Sequence, residues 1–339
     1  MNLKLQNTTA KKQNLHTPRQ RKARSEKNTV NVFFASDRNY LPYLAVAINS
    51  LSEHASDGYF YNIRILSEDL TKESLIGATG EIKPNVQISV FSVSDKISHI
   101  KKELALRLRD YYSDAIYYRI FIAEMFPSLK RAVYLDSDIV LTSDVAKLYF
   151  TPIGNNLVGA VTDESVMSEK VFREYVKKHV RMKRAEDYFN SGVLVMNLEL
   201  MREEKIKDQF INLLCKYNFK TVAPDQDYLN FLCRDRIYYL EQGWNKHAIS
   251  ENKIDSDKLY LMHFNMFNKP WKYRGVQNEE LFWKSAEKTP FMKKLSLERD
   301  SYSEAKQKND VKSAMKLLAS AKEISTSTGI FFRKKGKLL

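Results

Sequence analysis

Asp136 and Asp138, separated by one serine, follow the apolar run Ala132-Val133-Tyr134-Leu135 and precede a second run, Ile139-Val140-Leu141. The pattern reads as a buried strand ending in acid. Two carboxylates this close are costly at the end of an apolar strand, because desolvation and mutual repulsion both oppose their ionisation. A hard divalent cation such as Mg²⁺ or Mn²⁺, itself holding a phosphate, removes that cost. Asp-X-Asp alone leaves a plainer reading open, in which one Asp caps the following turn and the other faces water.

Other polar residues stand in similarly apolar surroundings. Arg119 sits among Ile116, Tyr117, Tyr118, Ile120, Phe121 and Ile122; it either snorkels to water or enters a cleft to bind an anion. Asn190 belongs to a turn-like cluster, Asp187 to Gly192, ahead of the apolar run Val193 to Leu198. Asp225 and Gln226 follow Pro224 at a helix start, where Asp225 caps the helix or binds sugar hydroxyls together with its neighbours. His263 falls at the end of a short apolar strand, with Lys269 just beyond. Cys215 and Cys233 form no CxxC pair, which suggests neither a disulfide scaffold nor a cysteine zinc site and fits a reducing cytoplasm.

The elements that must position these groups alternate. Strands are expected at Val30–Ala35, Tyr61–Leu66, Val86–Val93, Leu157–Thr162, Ile237–Leu240 and Leu259–Phe264. A helix with Pro42 near its start follows the first strand, and cap-like residues from Ser67 to Leu70 open another. The segment 113–129 has helical periodicity that Pro127 ends, residues 164–186 read as mainly helical and charged, and further helices are expected over 203–217 and from Pro224 to Cys233. Alternation of this kind favours a mostly parallel α/β sheet, with ligands at strand C-termini.

The formal net charge of +14 resides at the ends of the chain. Residues 1–30 carry eight Lys/Arg against one acid, residues 292–339 carry twelve against five, and the intervening body is neutral. A neutral body argues against nucleic-acid binding by the fold itself. The first 28 residues read as a disordered basic segment. The stretch Val311 to Ile324 reads as an amphipathic helix ahead of an aromatic, basic end at 330–339, a combination suited to an anionic membrane surface. No stretch approaches 18 apolar residues, so no transmembrane span is expected.

Six islands in this order (FFASDRNY, YYRIFIAEMFP, YLDSDIVLTSDV, DYFNSGVLVMNL, PDQDYLN and HFNMFNKPW) resemble family 8 of the retaining glycosyltransferases, in particular bacterial galactosyl- and glucosyltransferases of lipopolysaccharide and related surface glycans. The resemblance covers roughly residues 30 to 275. It implies a GT-A fold, a mixed, mostly parallel α/β sheet flanked by helices, over residues 29–275, with a basic helical extension over 276–339. It also implies a retaining transfer of glucose or galactose from a UDP-sugar to a glycan or lipid-linked saccharide, assisted by Mn²⁺ or Mg²⁺, in the cytoplasm and peripherally on the inner membrane face.

By that resemblance Asp136, Asp138 and His263 are metal ligands. Ala35, Asp37, Asn39 and Tyr40 belong to the uridine loop, Arg119 and Lys269 lie at the donor phosphates with Ser137 alongside, and Asn190, Asp225 and Gln226 surround the transferred sugar. No carboxylate stands in a convincing nucleophile motif, so front-face substitution with Gln226 orienting is favoured over Asp225 as nucleophile. Two departures concern the nucleotide: Met266 stands where relatives usually carry glycine, and Arg38 where an acid is usual. The rival readings are a haloacid-dehalogenase-like phosphohydrolase, whose Asp pair belongs on the earliest strand, and an inactive GT-A-fold protein that binds an anionic polymer or membrane.

Overall fold

The computed structural model describes residues 28–93, 114–217, 219–249 and 254–326. The basic segment before residue 28, Ser113 and the aromatic basic end at 330–339 lie outside them. Strands β1 (Thr29–Ala35), β2 (Phe60–Ser67), β3 (Val86–Ser92), β4 (Arg131–Leu135), β6 (Val158–Thr162), β7 (Phe189–Asn197) and β8 (Ile237–Tyr239) form a sheet in the order β3-β2-β1-β4-β7-β6-β8. The pairs β1–β2, β2–β3, β1–β4 and β6–β8 are parallel, and β7 runs antiparallel to both β4 and β6. This is the mixed, mostly parallel sheet that the alternation predicts.

Both faces of the sheet are covered, which explains why β1, β4 and β7 are buried almost throughout rather than alternating. Val30, Val32 and Phe34 join one core with Leu44, Ile48 and Leu51, while Phe33, Ala132 and Tyr134 join the other with Phe121, Phe189 and Phe210. Each fully buried Val, Leu, Ile or Phe contributes about 1.5–3 kcal/mol. The sum fixes the strand ends and the loops that leave them.

A second sheet, which the sequence reading merged with the first, consists of β5 (Ile139–Leu141), β10 (Leu261–His263) and β9 (Lys246–His247) in the order β5-β10-β9. His263 pairs with Ile139 across the antiparallel β5–β10 ladder, and with His247 across the parallel β10–β9 pair. A strand 122 residues beyond β5 in sequence thereby meets the acidic loop between β4 and β5.

The helices are α1 (Leu41–His54), α2 (Lys72–Leu75), α3 (Tyr118–Met125), α4 (Val145–Tyr149), α5 (Glu164–Ser168), α6 (Lys170–Tyr175), α7 (Leu198–Glu203), α8 (Ile206–Tyr217), α9 (Pro224–Cys233), α10 (Glu279–Ala286), α11 (Met292–Asp300) and α12 (Glu304–Thr326). Several boundaries differ from the sequence reading. The capping box of α2 belongs to Thr71 and Ser74, not to Ser67–Leu70, because Ser67 and Asp69 bond to Leu70 and Arg38 instead. Residues 164–186 divide into α5, α6, a π-helical turn (Val176–Val180) and a 3-10 turn (Ala185–Asp187). The turn-like cluster at 190–192 is strand: β7 begins at Phe189, and Asn190, Ser191 and Gly192 lie within it.

Candidate active site

Polar groups inside a buried strand are expensive unless every donor and acceptor is used, about 1–3 kcal/mol for each unpaired group. Asn190, Ser191 and Gly192 meet that demand through one network. Asn190 Nδ2 donates to Asp163 Oδ2 (3.1 Å), and Asn190 Oδ1 accepts from Gly192 N (3.0 Å) and Asn245 Nδ2 (2.9 Å). The Ser191 amide donates to Gln226 Oε1 (2.9 Å), and its hydroxyl donates to Asp225 Oδ2 (3.0 Å). Gln226 Nε2 completes the circuit on Asp163 Oδ2 (2.9 Å). The orientation of the Gln226 amide is thus set at both ends.

Arg119, on the first turn of α3, does not snorkel. It is 4% exposed and its fork reaches three elements. One guanidinium nitrogen, Nη2, lies 3.0 Å from Asp136 Oδ1; Nη1 donates to the Ser191 carbonyl (2.6 Å) and hydroxyl (3.1 Å); Nε lies 3.3 Å from Asp225 Oδ2. The group also stacks over Tyr134, 4.3 Å from the ring centroid, and the Tyr134 hydroxyl donates to Asp136 Oδ1 (2.9 Å). Burial pushes the Asp225 carboxyl above its ordinary value even though Arg119 pulls it down.

Asp136, Asp138 and His263 offer three ligand atoms, all within 4.8 Å of one another. His263 Nε2 lies 3.2 Å from Asp138 Oδ1 and 3.9 Å from Asp136 Oδ2. The tautomer follows from its other nitrogen. Asn245 donates its amide nitrogen to Asn190, so the Asn245 Oδ1 faces His263 Nδ1 at 2.8 Å and accepts from it. Nε2 is then the nitrogen turned toward the two carboxylates, and the one that would become a ligand of a cation among them. Two carboxylate oxygens and an imidazole nitrogen suit Mn²⁺ or Mg²⁺, which keep further positions for water or phosphate. The residues present therefore fit the ion that the resemblance implies.

Lys269 closes this side of the site by pairing with Asp138 Oδ2. Burial works against the charge of Asp138, and Lys269 with His263 outweigh it, holding the carboxyl well below its ordinary value. Lys269 Nζ also lies 5.4 Å from the Trp271 ring centre, Trp271 stacks on Tyr43 (4.1 Å), and Tyr43 meets Tyr40 edge-on (5.0 Å).

A cleft of about 250 Å³ is lined by Arg119, Asp136, Asp138, Asn190, Asp225, Gln226 and His263, together with Asp163, Asn265 and Met266. Seven sequence-predicted residues therefore meet in one place. The first-loop residues and Lys269 do not line this cleft; Ala35 is linked to it through Ser137 Oγ, which donates to the Ala35 carbonyl (3.1 Å). Asp37 Oδ1 accepts from the Tyr40 amide (3.0 Å), Asn39 is exposed, and Arg38 is turned onto Asp69 by its amide (3.1 Å) and its guanidinium.

Asp163 and Asn245 received no role from sequence. Asp163 had a visible sign, an acid directly after the apolar strand 157–162, the same grammar as Asp136; Asn245 carried none. Gly192 is required by proximity, since a Cβ there would sit 2.5 Å from His263 Cε1 and 2.6 Å from Asp136 Oδ2. Met266 adopts φ +56°, in the left-handed region, so the backbone keeps a glycine-like conformation under a methionine side chain.

The mixed sheet, with an acidic loop at the end of β4 and a cleft beside it, has the GT-A fold. The chain belongs to the family described as Glycosyl transferase family 8, whose sequence profile matches residues 31–275. It is similar to Glycosyltransferase GlyF of Streptococcus pneumoniae (28% identical over 266 residues, 75% of this chain and 60% of that protein). It is also similar to the lipopolysaccharide 1,2-glucosyltransferase of Escherichia coli (23% over 284 residues, 76% and 77%). The chain spans about three-fifths of the length of GlyF and of a Haemophilus influenzae relative (29% over 220 residues, 64% and 63%). Among solved structures, its fold resembles the bifunctional glycosyltransferase WbbM (TM-score 0.68, 24% identity, 81% of this chain and 52% of that one). The galactosyltransferase LgtC is a further likeness (TM-score 0.62, 22%, 77% and 96%).

Proposed function

We propose that the protein is a retaining hexosyltransferase that moves glucose or galactose from a UDP-sugar to a saccharide acceptor of a bacterial surface glycan. The observation that carries this reading is the convergence of Asp136, Asp138 and His263 with two buried cations, Arg119 on Asp136 and Lys269 on Asp138. The names of the similar E. coli glucosyltransferase and of LgtC support a hexose donor.

Asp136, Asp138 and His263 hold the divalent ion, which when bound supplies neutralisation of the diphosphate charge that grows as UDP leaves. Arg119 and Lys269 add fixed positive charge on the same side. No protein acid is needed to protonate so good a leaving group. Asp225 and Asn190 bind hydroxyls of the transferred sugar. Gln226, immobilised between Ser191 and Asp163, orients the reacting centre and stabilises its charge, while a neutral amide is a poor nucleophile. Asp225 is engaged by Arg119 and Ser191, which disfavours it as a nucleophile and supports front-face attack by the acceptor. A haloacid-dehalogenase-like phosphohydrolase would carry its Asp pair after the first strand, whereas Asp136 and Asp138 follow β4 and the sequence profile is that of a glycosyltransferase family.

The decisive measurement is thermal unfolding with Mn²⁺ and a panel of UDP-sugars, since a donor that binds the native state raises its midpoint by mass action. A shift with UDP-glucose or UDP-galactose, followed by metal-dependent UDP release, supports the assignment. No shift with any UDP-sugar would overturn it. Among the described residues no helix is long and apolar enough to cross a membrane. The basic C-terminal stretch is proposed to attract an anionic surface, and cosedimentation with anionic but not neutral vesicles tests that role; equal recovery with both sinks it.

A further inference from the structure

Apolar side chains share the lining of the cleft with its polar groups, among them Ile116, Phe172, Val176, Val222 and Leu317. Leu317 is the surprise in this set, because it comes from α12, far outside the residues 31–275 that the family profile matches. The helix is anchored near its start and toward its end. Near its start, Asp310 Oδ2 accepts from Tyr273 (3.0 Å) and Tyr302 (2.8 Å) and lies 3.5 Å from Lys272 Nζ, which ties α12 to the chain just after Lys269. Toward its end, Ala321 and Ile324 are buried in the core that contains Tyr175 and Phe189, and the helix packs along α6 and the π-helical turn.

Two residues that line this cleft carry buried polar atoms without a hydrogen-bond partner among the described residues. Asn265, 7% exposed, donates its Nδ2 to His247 Nδ1 (3.3 Å), but its Oδ1 finds no partner among the described residues, nor does the buried Ser165 Oγ. Buried acceptors left in this way cost free energy that a ligand hydroxyl recovers. A wall of aliphatic groups combined with orphaned hydroxyl partners matches a pyranose ring, which carries hydroxyls on its edge and C–H groups on its face.

We infer that α12 forms part of the acceptor site, with Leu317 a specificity-determining residue covering the apolar face of an acceptor pyranoside whose hydroxyls meet Asn265 and Ser165. This rests on the glycosyltransferase reading and deepens it. The occupant is the acceptor rather than an unrelated ligand because these apolar residues line the same cleft as Gln226 and Asp225, where the transferred sugar is proposed to sit.

The test uses the full chain with Mn²⁺ and its UDP-hexose, measuring UDP release with and without methyl glucosides, methyl galactosides and methyl lactosides. Leu317→Glu is expected to raise the acceptor KM at least tenfold and Leu317→Ala about threefold. The donor KM and the rate of acceptor-free hydrolysis should stay within twofold. Asn265→Ala should raise the acceptor KM by a similar factor, and Met315→Glu, on an exposed position of the same helix, should leave it unchanged. An unaltered acceptor KM in Leu317→Glu overturns the role of α12, and so does a donor KM that rises with it. Wild-type UDP release that none of the glycosides alters overturns the pyranoside assignment. Absence of any donor hydrolysis in the wild type strikes instead at the transferase reading beneath it.

Discussion

Asn245 holds His263 by a 2.8 Å hydrogen bond from the imidazole Nδ1 to its side-chain oxygen, and the other end of the same amide is fixed on Asn190. One asparagine thereby couples the proposed metal ligand to the network around the sugar site. Replacing it should loosen the imidazole and remove its tautomer control while all three ligands remain. Asn245→Ala is expected to weaken Mn²⁺ binding about 10- to 100-fold, read by titration calorimetry of the UDP complex. Unchanged affinity would show that Asn245 serves packing alone.

Removing a ligand is more severe. Asp136→Asn keeps the shape but halves the carboxylate charge of the Asp-Asp pair and disturbs the Arg119 fork, so metal-dependent UDP release should fall at least about 100-fold, roughly 3 kcal/mol of transition-state stabilisation. Turnover within a few fold of wild type would refute the ligand assignment.

The closeness of Gly192 to His263 and Asp136 predicts an effect from a single methyl group. Gly192→Ala places a Cβ at 2.5–2.6 Å from two of the proposed metal-site side chains, and relieving that overlap costs about 1–3 kcal/mol. Loss of activity should exceed loss of stability, because the displaced groups are those of the site. Comparing kcat with the urea midpoint separates the two.

At Met266 the expected change is a gain. A non-glycine residue at φ +56° carries about 1–2 kcal/mol of backbone strain, part of which the greater unfolded-state freedom of glycine offsets. Met266→Gly should stabilise the protein by about 0.5–1 kcal/mol in chemical denaturation. A destabilised variant would mean that the half-exposed methionine side chain contributes packing that outweighs the strain.

Asp227 predicts a pH dependence of unusual sign. Burial pushes its carboxyl up to about 6, although the hydroxyls of Tyr175 and Tyr188 and the amides of Val222 and Ala223 donate to it. The unfolded carboxyl titrates near 4. Between about pH 4 and 6 the folded state binds more protons than the unfolded one, so this group's contribution makes stability fall as pH rises through that window and level off above it. The full span is about 3 kcal/mol. Asp227→Asn should abolish this component, seen as a flatter difference curve in urea unfolding between pH 4 and 7. It should also lose stability at every pH, since an amide nitrogen cannot accept from a tyrosine hydroxyl. A wild-type and variant pair with parallel pH profiles would contradict the assignment.

Much of the chemistry was legible in the order of residues. An acidic pair directly after an apolar run reads as a strand ending in acid, and the apolar patterns placed β1, β4, β6 and α9 close to where they lie. They also marked Arg119 as out of place in α3, without deciding between water and a cleft. Periodicity could not reveal that Ile139–Leu141 leaves the main sheet, because strand pairing between β5 and β10 is a contact between distant segments with no local trace. The run Asn190-Ser191-Gly192 looked like a turn for the same reason: its partners, Arg119, Asp163, Asp225, Gln226 and Asn245, come from four other segments, and their hydrogen bonds are what let these polar groups lie in a buried strand.

By itself, then, the sequence determined the residue types and the local elements that carry them, including the family that the chain belongs to. Tertiary structure decided which nitrogen of His263 faces the carboxylates, which way the Gln226 amide points, and that Leu317 reaches the cleft. Those outcomes depend on directed hydrogen bonds and close packing between segments far apart in the chain, and neither periodicity nor composition encodes such distances.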